Sequence, residues 1–267
     1  VPIAMWLILG VGWRGTYGVL GLAILVLMLP LALWAVRDSP EAMGLAPDGA
    51  AAVASEPASA AAEKTSVGAA VQTASFWHIC CALSACGFTM GLLAAHGVPM
   101  LTDHGYDPMF ASWTLAILGG TSVAFVLALG VIADRVGCRP VLAAVLAGRA
   151  VAYSGLFLIR DLPGLLLVTA ALGGATMAGV LSNTSALTAS LFGRHSVGPV
   201  FGTMFLVHQT GAALGAWLGG YLFEQTGGYG AAFTISAVIL IVSSLVSLMI
   251  DERPGAAMRL APVAGEG

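Results

Sequence analysis

Charge is what this chain has least of. Asp, Glu, Lys and Arg together make up 9% of its 267 residues, against about 25% in a typical soluble domain. Hydrophobic residues make up 58%, more apolar surface than so few charges could cover in water. Several apolar runs exceed the ~18 residues that mark a membrane-spanning helix, which excludes a soluble fold. Acidic residues are missing from the interior of every one of those runs. No basic tract is present, so no nucleic-acid partner is expected, and no run has the build of a cleavable signal peptide. Cysteine is scarce: Cys80, Cys81 and Cys86 share one apolar run, and Cys138 lies in a charged loop. No C-x-x-C spacing occurs and adjacent cysteines cannot form an ordinary disulfide. All four are expected as small apolar fillers at helix contacts. There is no metal-ligand cluster, nucleophile triad or phosphate loop, so neither a metal nor a cofactor is expected.

What is present is a series of spans, which makes the chain an all-α polytopic membrane protein. Residues 1–11 form the tail of one span, beginning at Val1 inside an apolar segment. A turn at Gly12-Trp13-Arg14-Gly15 leads into a full span over 17–36. A linker over 37–74 follows, rich in Ala, Ser, Pro and acids, with Lys64 its only lysine; its polarity and prolines predict a flexible connector. Six more spans are predicted over 76–101, 111–133, 141–159, 164–187, 200–223 and 231–250, with a polar tail over 251–267. The expected organisation is therefore 1–36 as the end of a preceding half, 37–74 as linker, 75–250 as a six-helix bundle and 251–267 as tail.

Loop charges set the orientation, because Lys and Arg collect on the cytoplasmic side. One side holds Arg37, Lys64, Arg135, Arg139, Arg194, Arg253 and Arg259; the other holds only Arg14 and Arg160, with Asp103, Asp107, Asp161 and Glu224. Seven against two places the linker, the 130–140 loop and the C-terminus in the cytoplasm of a cell's inner (plasma) membrane.

That loop, Gly130-Val131-Ile132-Ala133-Asp134-Arg135-Val136-Gly137-Cys138-Arg139-Pro140, is a tight charged turn between two spans. It resembles the G-x-L-A-D-R-x-G-R-[KR] loop of the major facilitator superfamily of secondary transporters, with Cys138 where a basic residue is usual. The resemblance makes Gly130, Asp134, Arg135, Gly137 and Arg139 a cytoplasmic gating-loop motif. A long linker followed by six helices, with this loop between the second and third, is the layout of the superfamily's C-terminal half. Residues 1–36 then resemble the end of the fifth helix and the sixth, and an N-terminal half is expected to be missing. Residues 37–49 resemble the start of the linker in bacterial members. His208-Gln209-Thr210-Gly211-Ala212-Ala213-Leu214-Gly215 and the stretch up to Tyr229 resemble the eleventh and twelfth helices. His96-Gly97-Val98-Pro99-Met100-Leu101-Thr102-Asp103 resembles the outer end of the seventh helix in the monocarboxylate and oxalate/formate carrier branch. That branch often carries an eighth-helix Arg as anion anchor, whereas 123–128 here holds no cation.

The resemblance implies alternating access, in which two halves rock about a site near the midplane, with the lipid bilayer and a missing N-terminal half as partners and a small organic solute as cargo, an organic anion being one class. Five residues are cavity candidates: His208, Gln209, Asn183, His96 and Arg149. Arg149 sits about nine residues into its span, ~13 Å deep, where an arginine costs ~2.5 kcal/mol or more. Tyr153, backbone carbonyls, the missing half or an anionic substrate could answer it; the ninth helix is peripheral in this fold, which favours a structural role. His208 is near the midplane, on the face of Gly211, Gly215 and Gly219, while Gln209 is turned by ~100° from it. The glycine face suits close helix contact, and the opposite face, with Leu206, Trp217 and Tyr221, suits lipid. Asn183 lies in the inner third of its helix. His96, at the outer end of its own, reads as an interfacial histidine. The polar residues are isolated rather than paired at one depth, which disfavours an enzyme. A non-transporting, partner-binding remnant stays open.

Overall fold

The computed structural model describes residues 1–35, 65–159, 161–193 and 196–252, and every regular element among them is a helix. Most of the linker, Arg160, Arg194 and the tail from 253 lie outside the described residues. The chain divides into two units, 1–62 and 63–267. The first contains α1 (Pro2–Ala35). Two spans parted by a turn were expected there. Helix α1 is accordingly two helical segments joined at Gly12, whose backbone leaves helical geometry with φ 74° and ψ 168°. Helical geometry resumes at once: the Thr16 hydroxyl donates to the Gly12 carbonyl at 2.9 Å. Arg14 is folded over the Trp13 ring, 4.8 Å from its centroid, a cation–π contact that suits a membrane interface.

The second unit holds α2 (Val67–Ala70), α3 (Ala74–Asp103), α4 (Pro108–Val136), α5 (Cys138–Leu158), α6 (Pro163–Phe192), α7 (Val197–Thr226) and α8 (Gly230–Ser247). The short α2, capped by the Ser66 side chain, falls in what reads from sequence as linker. Helices α3 to α8 coincide with the six predicted spans to within a few residues. Among the described residues six helices, α1, α3, α4, α5, α6 and α8, are long and apolar enough to cross a bilayer. Helix α7 is 30 residues long, but His208, Gln209 and its glycines lower its hydropathy.

Local chemistry sets the helix ends. Thr73 accepts from the Phe76 N–H to start α3. Asp107 accepts from the Met109 and Phe110 N–H groups, with Pro108 next, to start α4, the expected N-terminal arrangement. Helix α3 packs along α7 and α8, α6 lies between α4 and α5, and α5 also packs on α8. Two apolar clusters result. One gathers Phe76, Ile79, Leu83, Leu142, Leu146 and Met204; the other gathers Leu92, Met100, Leu118, Tyr153, Leu156 and Phe233. Arg149 falls between them in the sequence of α5, one turn from Tyr153.

Candidate functional site: a polar seam inside the bundle

The seam begins where α3 and α7 touch backbone to backbone. A Cβ built on Gly87 or Gly91 would overlap the carbonyl oxygens of His208 and Ala212, and one on Gly215 would overlap that of Phe88. On Gly211 it would lie 2.5 Å from the Ser84 carbonyl oxygen, and on Gly219 it would lie 2.7 Å from Cδ2 of His96. The glycine face of α7 is therefore its contact with α3, and α3 answers with Gly87 and Gly91, the small-x-x-x-small geometry that brings helices close in lipid. Leu206, Trp217 and Tyr221, on the other face, are 67%, 63% and 47% exposed.

Arg149 is wholly buried. Its Nη2 donates to the carbonyls of Thr176 at 2.8 Å and Met177 at 2.7 Å, and its Nη1 donates to the Cys86 sulfur at 3.0 Å. The guanidinium thus ties α5 to α6 and α3. Backbone carbonyls, one of the expected answers, satisfy most of it. The sulfur was not foreseen: Cys86 is a polar partner as well as a filler. Arg149 Nε and the Tyr153 hydroxyl remain buried without a hydrogen bond.

His208, 3% exposed, stacks on Phe205 with ring centroids 4.9 Å apart. Its Nδ1 pairs with Gln209 Oε1 at 3.0 Å. Although Gln209 is rotated around the helix and exposed, its amide folds back onto the imidazole, so the two candidates form one unit. An amide oxygen only accepts, so Nδ1 carries the proton and Nε2 presents a lone pair. That Nε2 is buried and makes no hydrogen bond. Asn183 is 2% exposed; its amide donates to the Gly179 carbonyl one turn back at 2.7 Å, leaving Oδ1 buried and unpaired. His96 bonds through Nε2 to the Ala216 carbonyl at 2.9 Å and lies 5.5 Å from the Tyr229 ring. It clips α3 to α7.

The charged loop is short: Gly137 alone links α4 to α5, with φ 94° and ψ 154°, in the left-handed half of backbone space that glycine accepts most easily. It offers no side-chain cap to α5. Glu252, just beyond α8, supplies one instead. Its Oε1 accepts from the Arg139 backbone N–H, and the Arg139 Nη1 reaches the Ile250 carbonyl at 3.5 Å. A Cβ on Gly137 would come within 2.6 Å of Glu252 Oε2. Asp134 and Arg135 are exposed. At the opposite end of α8 a cavity of about 530 Å³ is lined by Asp103, His104, Phe157, Phe223 and Tyr229. There burial, and then the Asp103 charge, raise the Tyr229 phenol above its ordinary value.

Residues 77–265 match the family model of the Major Facilitator Superfamily. The chain belongs to that superfamily. Among relatives, it is 26% identical to the uncharacterized MFS-type transporter YcxA of Bacillus subtilis (strain 168), over 89% of this chain and 57% of the relative. It is 36% identical to the multidrug resistance protein MdtG of Dickeya zeae (strain Ech586), over 46% of this chain and 30% of the relative. The chain thus spans little more than half the length of the first of these. Superfamily membership points to a membrane protein of a transporter family, and the all-helical bundle agrees. Sequence reasoning missed Cys86, Glu252 and the α3 glycines. The four-residue spacing of Gly87 and Gly91 was a readable signal; Glu252, 113 residues from Arg139, gave none.

Proposed function

We propose that this chain forms the C-terminal half of an alternating-access transporter for a small organic solute, with 1–36 closing a preceding half. The observation that carries this is the glycine seam. Helices α3 and α7 meet over matched bare backbones, which binds the half into one body that can rock against the other half as a unit. The His208–Gln209 unit on α7 is the solute-facing polar group, with Asn183 as a second donor and acceptor. His96 and Arg149 hold helices together. The linker, the Gly130–Arg139 motif and the C-terminus face the cytoplasm of the plasma membrane, as the loop charges require.

Cargo class follows from where cations are placed. Arg149 is already bound to two carbonyls and a sulfur, and residues 123–128 of α4 hold no cation. An organic anion of the monocarboxylate kind would take its counter-charge from the N-terminal half. The test is uptake into proteoliposomes. The chain joined to the remaining helices of an N-terminal half should accumulate a small organic solute, and the 267-residue chain alone should not. Solute-dependent uptake by the chain alone would refute the two-halves reading.

A further inference from the structure

At the end of the bundle away from the charged loop, three helices stop and one starts around a single cavity. Helix α3 ends at Asp103, α5 at Leu158 and α7 at Thr226, while α8 begins at Gly230. Asp103, Phe157, Phe223, Tyr229 and Gly230 from these ends line a cavity of about 530 Å³, within the ~300–1,000 Å³ usual for small-molecule sites. Helix C-termini carry partial negative charge and N-termini partial positive charge. Three of the first against one of the second leave the surroundings of this cavity net negative. Asp103 is the one acidic side chain lining it, and no Lys or Arg does. Burial first, and the field of that carboxylate second, hold the Tyr229 phenol above its ordinary value. Among the described residues Asp107, Asp161 and Glu224 stand at the same end. The described arginines of this unit, Arg135, Arg139 and Arg149, lie in the charged loop or the bundle interior.

Aromatic rings supply the rest of the wall. Phe223 and Tyr229 have centroids 4.6 Å apart with planes tilted by 31°, and Phe157 lies 5.7 Å from the His104 ring. Rings attract a cation through their quadrupole, and alkylated ammonium groups are the ligands that such walls recognise. A metal ion is not served: no group of three His, Cys, Asp or Glu side chains able to hold one occurs among the described residues. We propose that this cavity binds an organic ammonium cation of the trimethylammonium type, with Asp103 as counter-charge and Phe157, Phe223 and Tyr229 as its aromatic wall. Such a cation spreads its charge over methyl groups that pack on rings, and it needs no N–H acceptor from the protein. The cavity is built from helix ends, whereas His208 and Gln209 lie in the middle of α7, so this site is separate from the polar seam. Its occupant is either a free solute or the choline head group of a lipid.

The experiment titrates the chain with choline by calorimetry in nanodiscs of equal parts phosphatidylglycerol and an uncharged glycolipid, with empty nanodiscs as blank. The expected result is saturable binding, about tenfold or more tighter than for the carbon isostere in which tert-butyl replaces trimethylammonium. Asp103→Asn should weaken choline binding by about tenfold or more. Phe223→Leu, which keeps apolar bulk and removes the ring, should weaken it by about threefold or more. A chain that is folded by circular dichroism but binds no choline overturns the proposal, as does equal binding of the isostere. Affinity indifferent to Asp103→Asn or to Phe223→Leu overturns it too. Exchanging the glycolipid for phosphatidylcholine holds the surface charge constant and separates the two sources. Weakened choline binding then assigns the cavity to the lipid head group, and unchanged binding assigns it to a free solute; both keep the ammonium site. Binding needs neither uptake nor an N-terminal half, so this result and the proposed function fail independently.

Discussion

Gly215 and Phe88 meet with no room for a side chain between them: a Cβ on Gly215 would overlap the Phe88 carbonyl oxygen. The obstacle is backbone, which cannot rotate aside as a side-chain tip would. Gly215→Ala should therefore force α3 and α7 apart and cost about 1–3 kcal/mol, as overpacking does elsewhere. A melting curve of the purified chain would record it. The same substitution at Gly198, which has nothing within 4 Å, should be close to neutral. Equal melting temperatures for the two variants would refute the seam.

Arg149→Leu should lower the yield of folded chain. It removes the donors that serve the Thr176 and Met177 carbonyls and the Cys86 sulfur, and each buried group left unpaired costs about 1–3 kcal/mol. If Arg149 instead served only the solute, the variant would fold normally and fail in transport. Detergent-resistant, monodisperse protein on size-exclusion chromatography decides between these outcomes.

Glu252 caps α5 from across the bundle, so Glu252→Ala should cost about 0.5–2 kcal/mol, the usual range for a lost N-cap. The carboxylate also faces the positive end of the helix, so Glu252→Gln should lose less than Ala. Thermal unfolding of both variants tests the order. Identical stability in all three chains would show that the contact contributes nothing.

How far the sequence could be read depends on which residues are asked about. Six spans with few internal charges are legible because lipid demands long apolar helices, and the glycine spacing of α7 announces its contact face. The partner of that face is not legible, since choosing α3 depends on how six similar helices are arranged. Arg149 stood out as costly, but its three acceptors lie on α3 and α6, 27 to 63 residues away. The His208–Gln209 bond defeats helical-wheel reasoning for a different reason: a side chain with three rotatable bonds can reach around the helix from a neighbouring position. The break at Gly12 was visible as a turn, because glycine there allows the non-helical backbone that parts two helical segments.

Tyr229 gives a pH prediction at the end of α8 away from the charged loop. Its phenol is raised by burial and by Asp103, so the folded chain binds that proton more tightly than the unfolded one. The resulting stability is present below about pH 10 and is lost as pH rises through the folded value. Asp103→Asn should lower the Tyr229 midpoint and soften the alkaline loss of stability. Tyrosinate absorbance, taken as a difference against Tyr229→Phe, measures it; a midpoint unmoved by Asp103→Asn would exclude the charge as a cause.

His208 and Gln209 should separate from Arg149 when all three are changed in a completed transporter. Alanine suits a helix interior and close packing, so His208→Ala and Gln209→Ala should leave the amount of folded protein near that of the parent. Both should raise the apparent substrate constant or abolish uptake. Gln209→Ala removes the acceptor that fixes the Nδ1 proton of the imidazole, so its effect should be largest where His208 is neutral. His208→Ala should also flatten the dependence of uptake on pH between about pH 5 and 8, the range in which an imidazole changes charge. Uptake assays over that range, with expression measured alongside, separate a transport defect from a folding one. Parental uptake with an unchanged pH profile in both variants would remove the pair from the transport path and leave Asn183, with its unpaired Oδ1, as the candidate in this half.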